Sequence, residues 1–305
     1  MLETVPCDVC GSDRARLHLC VKDKIYGLPG EFSLVRCEDC GLLYLNPRPD
    51  RAAIGQFYPD LDYHAFKPTG GLKQRLLDQR RHSEAKRLLA SLPNGATVLE
   101  IGCGTGELLA ALKDRGAQAV GVEPNGAAAK TAHERYGLMV HTGMLDDWHE
   151  RLPAASFDLI LMKYALEHVH SPKTTLAQIA GLLRPGGRAV FWIPNAASWD
   201  AQLFGANWRG LDAPRHLYIF TPKTIRAYAQ SANLNVLGIS YSGVPNDWAG
   251  SVEFALRERS PRLAKLMGMD NPLMMAAWLP ISILASKIGR AGRMRVEMGK
   301  STSRR

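Results

Sequence analysis

Val98-Leu99-Glu100-Ile101-Gly102-Cys103-Gly104-Thr105-Gly106 is the stretch on which the fold turns. A short apolar run enters glycines at alternate positions, and a helix-like segment, Glu107–Arg115, follows. Strand, glycine turn and helix form the first β–α unit of an open α/β sheet, whose ligands sit beyond the carboxyl ends of the strands. Glycine lets the backbone turn tightly there and approach a ligand closely. The pattern repeats outward from this unit. Strands are expected at Ala119–Val122, Leu138–His141, Phe157–Met162 and Arg188–Ile193, with Pro185-Gly186-Gly187 turning the chain into the last of these. Helices are expected at Ala127–Tyr136 and from Pro172 to about Leu183. Repeated β–α units with apolar strands predict a parallel sheet wrapped by helices. Downstream, Thr221 and Pro222 read as the N-cap and first residue of another helix. Strands follow at Asn235–Ser240 and Arg293–Met298, with a helical insertion from about 248 to 290 between them.

The ligand can be narrowed from the same residues. A dinucleotide site has the spacing GxGxxG and seats pyrophosphate on the helix N-terminus. Here the spacing is GxGxG and Glu107 follows, placing a carboxylate where it would repel pyrophosphate. A phosphate-free nucleoside fits better, and S-adenosylmethionine combines adenosine, a methionine tail and a positive sulfonium. Glu123, before Pro124, ends the second strand, where a carboxylate accepts hydrogen bonds from ribose hydroxyls. Glu100 is placed to pair with the methionine ammonium. The competing reading is a tight βα turn without a ligand. Cys103 reads as packing, since no basic neighbour would make it a thiolate.

The motifs VLEIGCGTG, GVEPN, FDLILMKYALEHV and LLRPGGRAVFWIPN occur in that order, and over residues 75–240 the chain resembles the class I S-adenosylmethionine-dependent methyltransferases. The resemblance implies an α/β, Rossmann-like, doubly wound sheet of seven mostly parallel strands, the last antiparallel, and methyl transfer from the cofactor. It implies that Gly102, Cys103, Gly104 and Gly106, with Glu100, Glu123 and Pro124, hold the cofactor. By position, Met144 and Leu145 would flank the adenine, and Lys163 and Tyr164 would lie near the methionine part.

Two matching pairs, Cys7-x-x-Cys10-Gly11 and Cys37-x-x-Cys40-Gly41, supply four thiolates for a closed tetrahedral Zn²⁺ site of structural role. The alternatives are iron in the same geometry or redox thiols. Cys20, between the pairs, reads as a packing residue. The knuckle with Asn46-Pro47-Arg48-Pro49 resembles the piece found ahead of some bacterial methyltransferases, many of which act on sugars or other small metabolites. Zinc ribbons also precede ribosomal RNA methyltransferases, so the substrate stays open. The expected organisation is a four-cysteine zinc knuckle over 1–50, a linker and leading helix over 51–92, and a methyltransferase domain over 93–305 carrying the insertion.

Two segments can serve the methyl acceptor. Tyr164, Glu167, His168 and His170 follow the fourth strand, and 198–220 holds Trp199, Phe204, Trp208, Arg209, Asp212, Arg215, His216, Tyr218 and Phe220. Aromatics there would form a dry wall, and Arg and His would bind an anionic or hydroxyl-rich acceptor. His216 is the expected general base, with His168 its competitor. The plainer readings are that Glu167 or His168 caps the next helix and that His216 is a satisfied structural histidine. The run from Leu211 to Leu217, followed by Phe220-Thr221-Pro222, resembles one common in methyltransferases of surface-glycan and secondary-metabolite pathways.

In 305 residues, 46% are hydrophobic and 22% charged, as in ordinary globular proteins, and the formal charge is +9. That surplus favours anionic partners such as RNA, anionic lipid or a phosphorylated substrate, and selects none. The N-terminus has no basic start followed by an apolar run, and paired cysteines read as metal ligands belong to a reducing compartment, so a cytoplasmic protein is expected. Leu273–Ala285 is too short to span a bilayer. Beside Lys287, Arg290, Arg293, Arg295, Lys300, Arg304 and Arg305, its region over about 273–295 is a candidate for peripheral contact with an anionic membrane, against a buried lid or dimer contact. The functions expected are methylation of a small molecule, in particular a sugar or glycan intermediate, with a ribosomal or transfer RNA methyltransferase and a non-catalytic cofactor-binding adaptor as rivals.

Overall fold

The computed structural model describes residues 1–58 and 71–300. Most of the expected linker, together with Arg304 and Arg305 of the basic tail, lies outside the described residues. In chain order the amino-terminal part contributes strands β1 (Leu2–Glu3), β2 (Ala15–Val21), β3 (Phe32–Cys37), β4 (Leu43–Leu45) and β5 (Arg48–Pro49), and then helix α1 (Gly71–Leu89). The core alternates β6 (Thr97–Ile101), α2 (Glu107–Lys113), β7 (Gln118–Glu123), α3 (Gly126–Tyr136), β8 (Met139–Thr142), α4 (Leu145–Trp148), β9 (Phe157–Lys163), α5 (Pro172–Leu182) and β10 (Leu183–Pro194). After it come α6 (Trp199–Phe204), β11 (Tyr218–Ile219), α7 (Pro222–Ser231), β12 (Leu234–Ser242), α8 (Pro245–Leu256), α9 (Pro261–Met267), α10 (Pro272–Lys287) and β13 (Arg293–Lys300).

Seven strands form one sheet in the order β12-β13-β10-β9-β6-β7-β8. The pairs β10–β9, β9–β6, β6–β7 and β7–β8 are parallel, while β13 runs antiparallel to both β10 and β12. Strand order reverses between β6 and β9, so a crevice opens at their carboxyl ends, and the glycine loop leaves β6 at that point. Both strands are almost wholly buried, which is why their sequences are apolar throughout instead of alternating. Within β9 the buried Asp158 accepts from the Thr97 backbone N–H at 2.8 Å and pairs with Arg184. The expected turn at Pro185-Gly186-Gly187 is a register shift inside β10, between Leu183 and Arg188. A Cβ on Gly187 would stand 2.7 Å from the Phe157 carbonyl oxygen, so only glycine lets the backbones meet there. Thr221 caps α7 by accepting from the Thr224 N–H, as its position before Pro222 requires.

The first fifty residues hold more than a knuckle. β2, β3 and β4 form an antiparallel sheet completed by β11, in the order β11-β4-β3-β2, and β11 lies far downstream. Leu34, Leu43, Leu45, Trp208, Leu211 and Ile219 share one buried cluster, so packing runs through the boundary expected at residue 50. Cys20 departs from expectation: it is exposed, on the alternating outer face of β2. The insertion forms α8, α9 and α10, with Trp248 and Trp278 stacked at 5.2 Å between the first and last. Among the described residues, no helix is long and apolar enough to cross a membrane.

Candidate active site

A crevice of about 1060 Å³ lies at the carboxyl ends of β6, β7 and β9. The glycine loop forms one wall. Gly102, Gly104 and Gly106 all have positive φ (72°, 56° and 81°). At Gly106 a Cβ would stand 2.6 Å from Leu138 Cδ1 and 2.8 Å from Ala132 Cβ, so this turn needs glycine for both its dihedral and its space. Cys103 is buried against Leu109 and Ala132 in a small cluster, and burial raises its thiol pKa, as suits packing.

Glu123 stands at the end of β7. The Gly104 N–H donates to its Oε2 at 2.8 Å and the Asn125 N–H to its Oε1 at 2.9 Å. These two bonds aim the carboxylate and tie it to the glycine loop. Burial raises the Glu123 pKa while the two N–H groups pull it down. Glu100 is buried on β6, and its Oε2 has no hydrogen-bond partner among the described residues. Burial pushes its carboxyl up to about 8, partly offset by Lys163. An orphaned acid of this kind calls for a cation, and the ammonium of a methionine tail supplies one. Pro124, Met144 and Leu145 line the same wall. Lys163 and Tyr164 also line the crevice, each held by a neighbour: Lys163 Nζ bonds Glu84 Oε2 at 2.7 Å, and Tyr164 OH accepts from Arg293 Nη1 at 3.2 Å. The residues present therefore fit a phosphate-free nucleoside with a charged amino-acid tail.

The acceptor side is assembled from distant parts. Glu167 and His168 do not cap α5: Ser171 does, accepting from the Thr174 N–H at 3.3 Å. Their side chains meet His216 instead. The His168 and His216 rings contact edge to face at 4.6 Å, and His216 Nε2 lies 3.9 Å from both Glu167 Oε1 and Asp212 Oδ2. Two carbonyl oxygens accept from these rings, Gly210 from His216 Nδ1 at 2.9 Å and Arg215 from His168 Nδ1 at 3.0 Å. Tyr58 OH also lies 2.9 Å from His168 Nδ1. Burial, reinforced by His216, drives the His168 pKa down to about 3, which makes that ring a poor proton acceptor. Burial pushes the Glu167 carboxyl up to about 8. For Asp212, burial is outweighed by His216 and Arg215, leaving its pKa below the ordinary carboxylate value.

The expected aromatic wall reduces to Trp208, whose Nε1 donates to Asp200 Oδ2 at 2.9 Å. Phe204 packs on Trp248, Phe220 on Tyr228, and Tyr218 points its hydroxyl to the His170 carbonyl at 3.0 Å. Arg209 lines the crevice, where burial lowers its pKa and Asp247, at longer range than an ion pair, partly offsets that. Sequence reasoning missed Arg51, Ile54 and Tyr58 from the amino-terminal part, and Asp247 and Arg293 from the insertion and last strand, all of which line the crevice. Asp247 and Arg293 form a bidentate pair at 2.7 and 2.8 Å. Nothing in a periodicity marks such residues.

The four knuckle sulfurs lie within 4.8 Å of one another, with Cys7–Cys40 at 3.4 Å and Cys10–Cys37 at 3.6 Å. A Zn²⁺ bound by thiolates at ~2.3 Å needs sulfur–sulfur edges of about 3.8 Å. The set fits, and the separations are far beyond a disulfide bond. Gly11 and Gly41, at φ 74° and 82°, close the two turns through bonds to the Cys7 and Cys37 carbonyls. The knuckle is bolted to the acceptor side. Asp8 accepts from Ser171 Oγ and the Lys173 N–H, both at 2.9 Å, and Arg48 Nη1 donates to the His170 carbonyl at 2.9 Å. Arg215, fully buried, pairs bidentately with Asp23 at 2.8 and 2.9 Å, bonds Asp212, and lies over the Tyr26 ring.

The sequence profile of a family described as a methyltransferase domain matches residues 74–239. The chain belongs to this family. It is a class I S-adenosylmethionine-dependent methyltransferase with an amino-terminal four-cysteine zinc knuckle. Among relatives of the methyltransferase, the ubiquinone biosynthesis O-methyltransferase of Aromatoleum aromaticum is 32% identical over 165 residues, covering 48% of this chain and 69% of that protein. The corresponding protein of Aeromonas salmonicida is 28% identical over 167 residues, covering 50% and 70%. In three dimensions the methyltransferase resembles a Galdieria sulphuraria protein provisionally assigned as a sarcosine dimethylglycine methyltransferase. That match has a TM-score of 0.50 at 17% identity and covers 75% of this chain and 86% of that one; it bears on the fold alone.

Proposed function

We propose that the enzyme methylates a hydroxyl of a small, hydroxyl-rich and anionic acceptor, a sugar or glycan intermediate, bound between Arg209 and the cluster of Glu167, His168, Asp212 and His216. The observation that carries this reading is Arg209, a half-buried guanidinium in the crevice with no carboxylate partner among the described residues. Burial lowers its pKa and the nearby Asp247 offsets that only in part, so an anionic group on the acceptor would relieve the remaining cost. Relatives named as O-methyltransferases support oxygen as the acceptor atom.

Bound S-adenosylmethionine supplies an already activated methyl group, so the chain's tasks are alignment and exclusion of water. Glu123 and the glycine loop would hold the nucleoside, and Glu100 would hold the ammonium. Trp208 shields one side, and the acceptor's proton leaves toward the histidine–carboxylate cluster. The test is a screen of cell extracts with methyl-labelled cofactor and the purified enzyme. Label is expected in an acidic, sugar-containing small-molecule fraction, and label confined to RNA or protein would refute the proposal.

A second reading concerns location. α10 exposes Leu273, Leu279, Ile283 and Leu284, and α9 exposes Leu263 and Leu266. Lys287 and Arg290, both exposed, follow these residues along the chain, a composition suited to the surface of an anionic bilayer. Co-sedimentation with anionic but not zwitterionic vesicles is expected; no sedimentation with either would retire it.

A further inference from the structure

We propose that the acceptor carries a carboxylate, seated on Arg209 as a fork-to-fork pair, and that Asp247 selects it over a phosphate by engaging Arg293. This rests on the reading that the acceptor binds beside Arg209. Packing holds Arg209 in place. Its stem lies across Gly250 of α8, where a Cβ would stand 2.5 Å from its Cδ, so a larger residue there would push it aside. Its backbone N–H donates to Ser251 Oγ at 3.0 Å, and Ser251 Oγ in turn donates to the Asp247 carbonyl at 2.6 Å. Arg209 and Asp247 thus reach the crevice wall from one short stretch of α8 and the loop docked on it.

Other cations of the wall have partners: Arg51 pairs with Asp146, Arg81 with Asp78 and Lys163 with Glu84. Arg293 is the most fully engaged. Its Nε and Nη2 donate to the two Asp247 oxygens at 2.8 and 2.7 Å, and its Nη1 donates to the Tyr164 hydroxyl at 3.2 Å. The acids whose charge reaches Arg209 are committed to other arginines. Asp247 pairs with Arg293 at 2.7 Å, Asp212 with Arg215 at 2.6 Å, and Glu253 with Arg257 at 2.9 Å. Burial lowers the Arg209 pKa, Asp247 offsets that in part, and Arg293 lowers it again. Arg209 therefore carries a charge that its surroundings leave undercompensated.

Charge and shape then separate the candidate anions. Arg209, Arg293 and Asp247 together leave one positive charge. A carboxylate brings one negative charge and two coplanar oxygens, which match the parallel N–H groups of a single guanidinium. Asp247 and Arg293 already display that bidentate pairing in the same wall. A phosphate monoester is close to doubly charged at neutral pH and has a third terminal oxygen. Its second charge would meet Asp247, and each nitrogen of Arg293 already has an acceptor. Like charges in a half-buried crevice repel strongly, so Asp247 works against the dianion as much as Arg209 works for the monoanion.

Three probes share one sugar ring and differ only at carbon 6: glucuronate, glucose 6-phosphate and glucose. Full-length, zinc-loaded protein is saturated with S-adenosylhomocysteine and titrated with each at neutral pH and constant ionic strength. Glucuronate is expected to bind roughly tenfold or more tightly than either of the others. Arg209→Gln is expected to bring glucuronate down to the level of glucose. Asp247→Asn releases Arg293 and adds a positive charge, so it is expected to reverse the order, with glucose 6-phosphate the tighter ligand. A purely structural role for Asp247 would weaken all probes alike. Wild-type protein that binds glucuronate no more tightly than glucose or glucose 6-phosphate would overturn the proposal, and so would an unchanged order in folded Asp247→Asn. The wild-type ranking decides even if a variant fails to fold. Label in an acidic sugar fraction without this ranking would remove the carboxylate alone; the ranking together with label confined to RNA or protein would uphold the carboxylate site and remove the sugar-hydroxyl reading.

Discussion

Glu123→Gln isolates the one carboxylate that links the glycine loop to the nucleoside. In the wild type both oxygens accept backbone N–H groups, from Gly104 at 2.8 Å and Asn125 at 2.9 Å. A glutamine keeps the shape but turns an NH₂ toward one of those donors, and it removes the negative charge that ribose hydroxyls would meet. Hydrogen bonds to a charged group contribute about 1.5–3 kcal/mol, so losing them weakens cofactor binding by roughly 10- to 150-fold. Stability should change much less. The lost bonds are offset by relief of the burial cost that already raises the Glu123 pKa. The assay is calorimetric titration with S-adenosylhomocysteine, with thermal unfolding as the control. A folded variant that binds within threefold of wild type would falsify the assignment of Glu123 as the ribose anchor.

Three further outcomes are expected. Gly106→Ala should destabilise the protein by about 2–5 kcal/mol, a sum of left-handed strain and overpacking, read as a lower denaturant midpoint; its Cβ would meet Leu138 and Ala132. Glu100 gives a pH dependence. With its pKa pushed to about 8 in the folded protein against 4.5 in the ordinary case, it costs stability progressively as pH rises from 4.5 to about 8, since the unfolded chain ionises first. Pairing with the cofactor ammonium favours the ionised form, so binding below pH 8 should release protons, seen as a buffer-dependent binding enthalpy. Flat affinity and no proton release from about pH 6 to 8 would count against the pair. Cys10→Ser should lose zinc and cut turnover at least tenfold while cofactor affinity stays within about threefold, because the knuckle holds the 167–173 segment and not the glycine loop; equal loss of both would show a wider role.

The β–α alternation, the glycine turn and the acid after the second strand were legible because each is local. A buried parallel strand announces itself as an apolar run, a tight turn as glycine, and a helix start as Thr221-Pro222. The paired cysteines were legible for the same reason, since a metal dictates ligand type and spacing along the chain. Short strands whose partners lie far away were not. β11 is two residues long and exists only because β4 lies beside it. The acceptor side fared similarly: His216 and Glu167 were visible as candidates, but their contact was not.

The succession of strands and helices along the chain, the place of the glycine loop and the ligand set of the knuckle were thus set by sequence alone, through periodicity and the conformational demands of single residues. Tertiary structure decided which distant groups share the acceptor crevice. Arg215 reaches Asp23 across 192 residues, and Tyr58 reaches His168 across 110. It also decided the protonation behaviour of Glu100, Glu167 and His168, because the cost of a buried charge depends on every element packed around it, and no run of neighbouring residues encodes that.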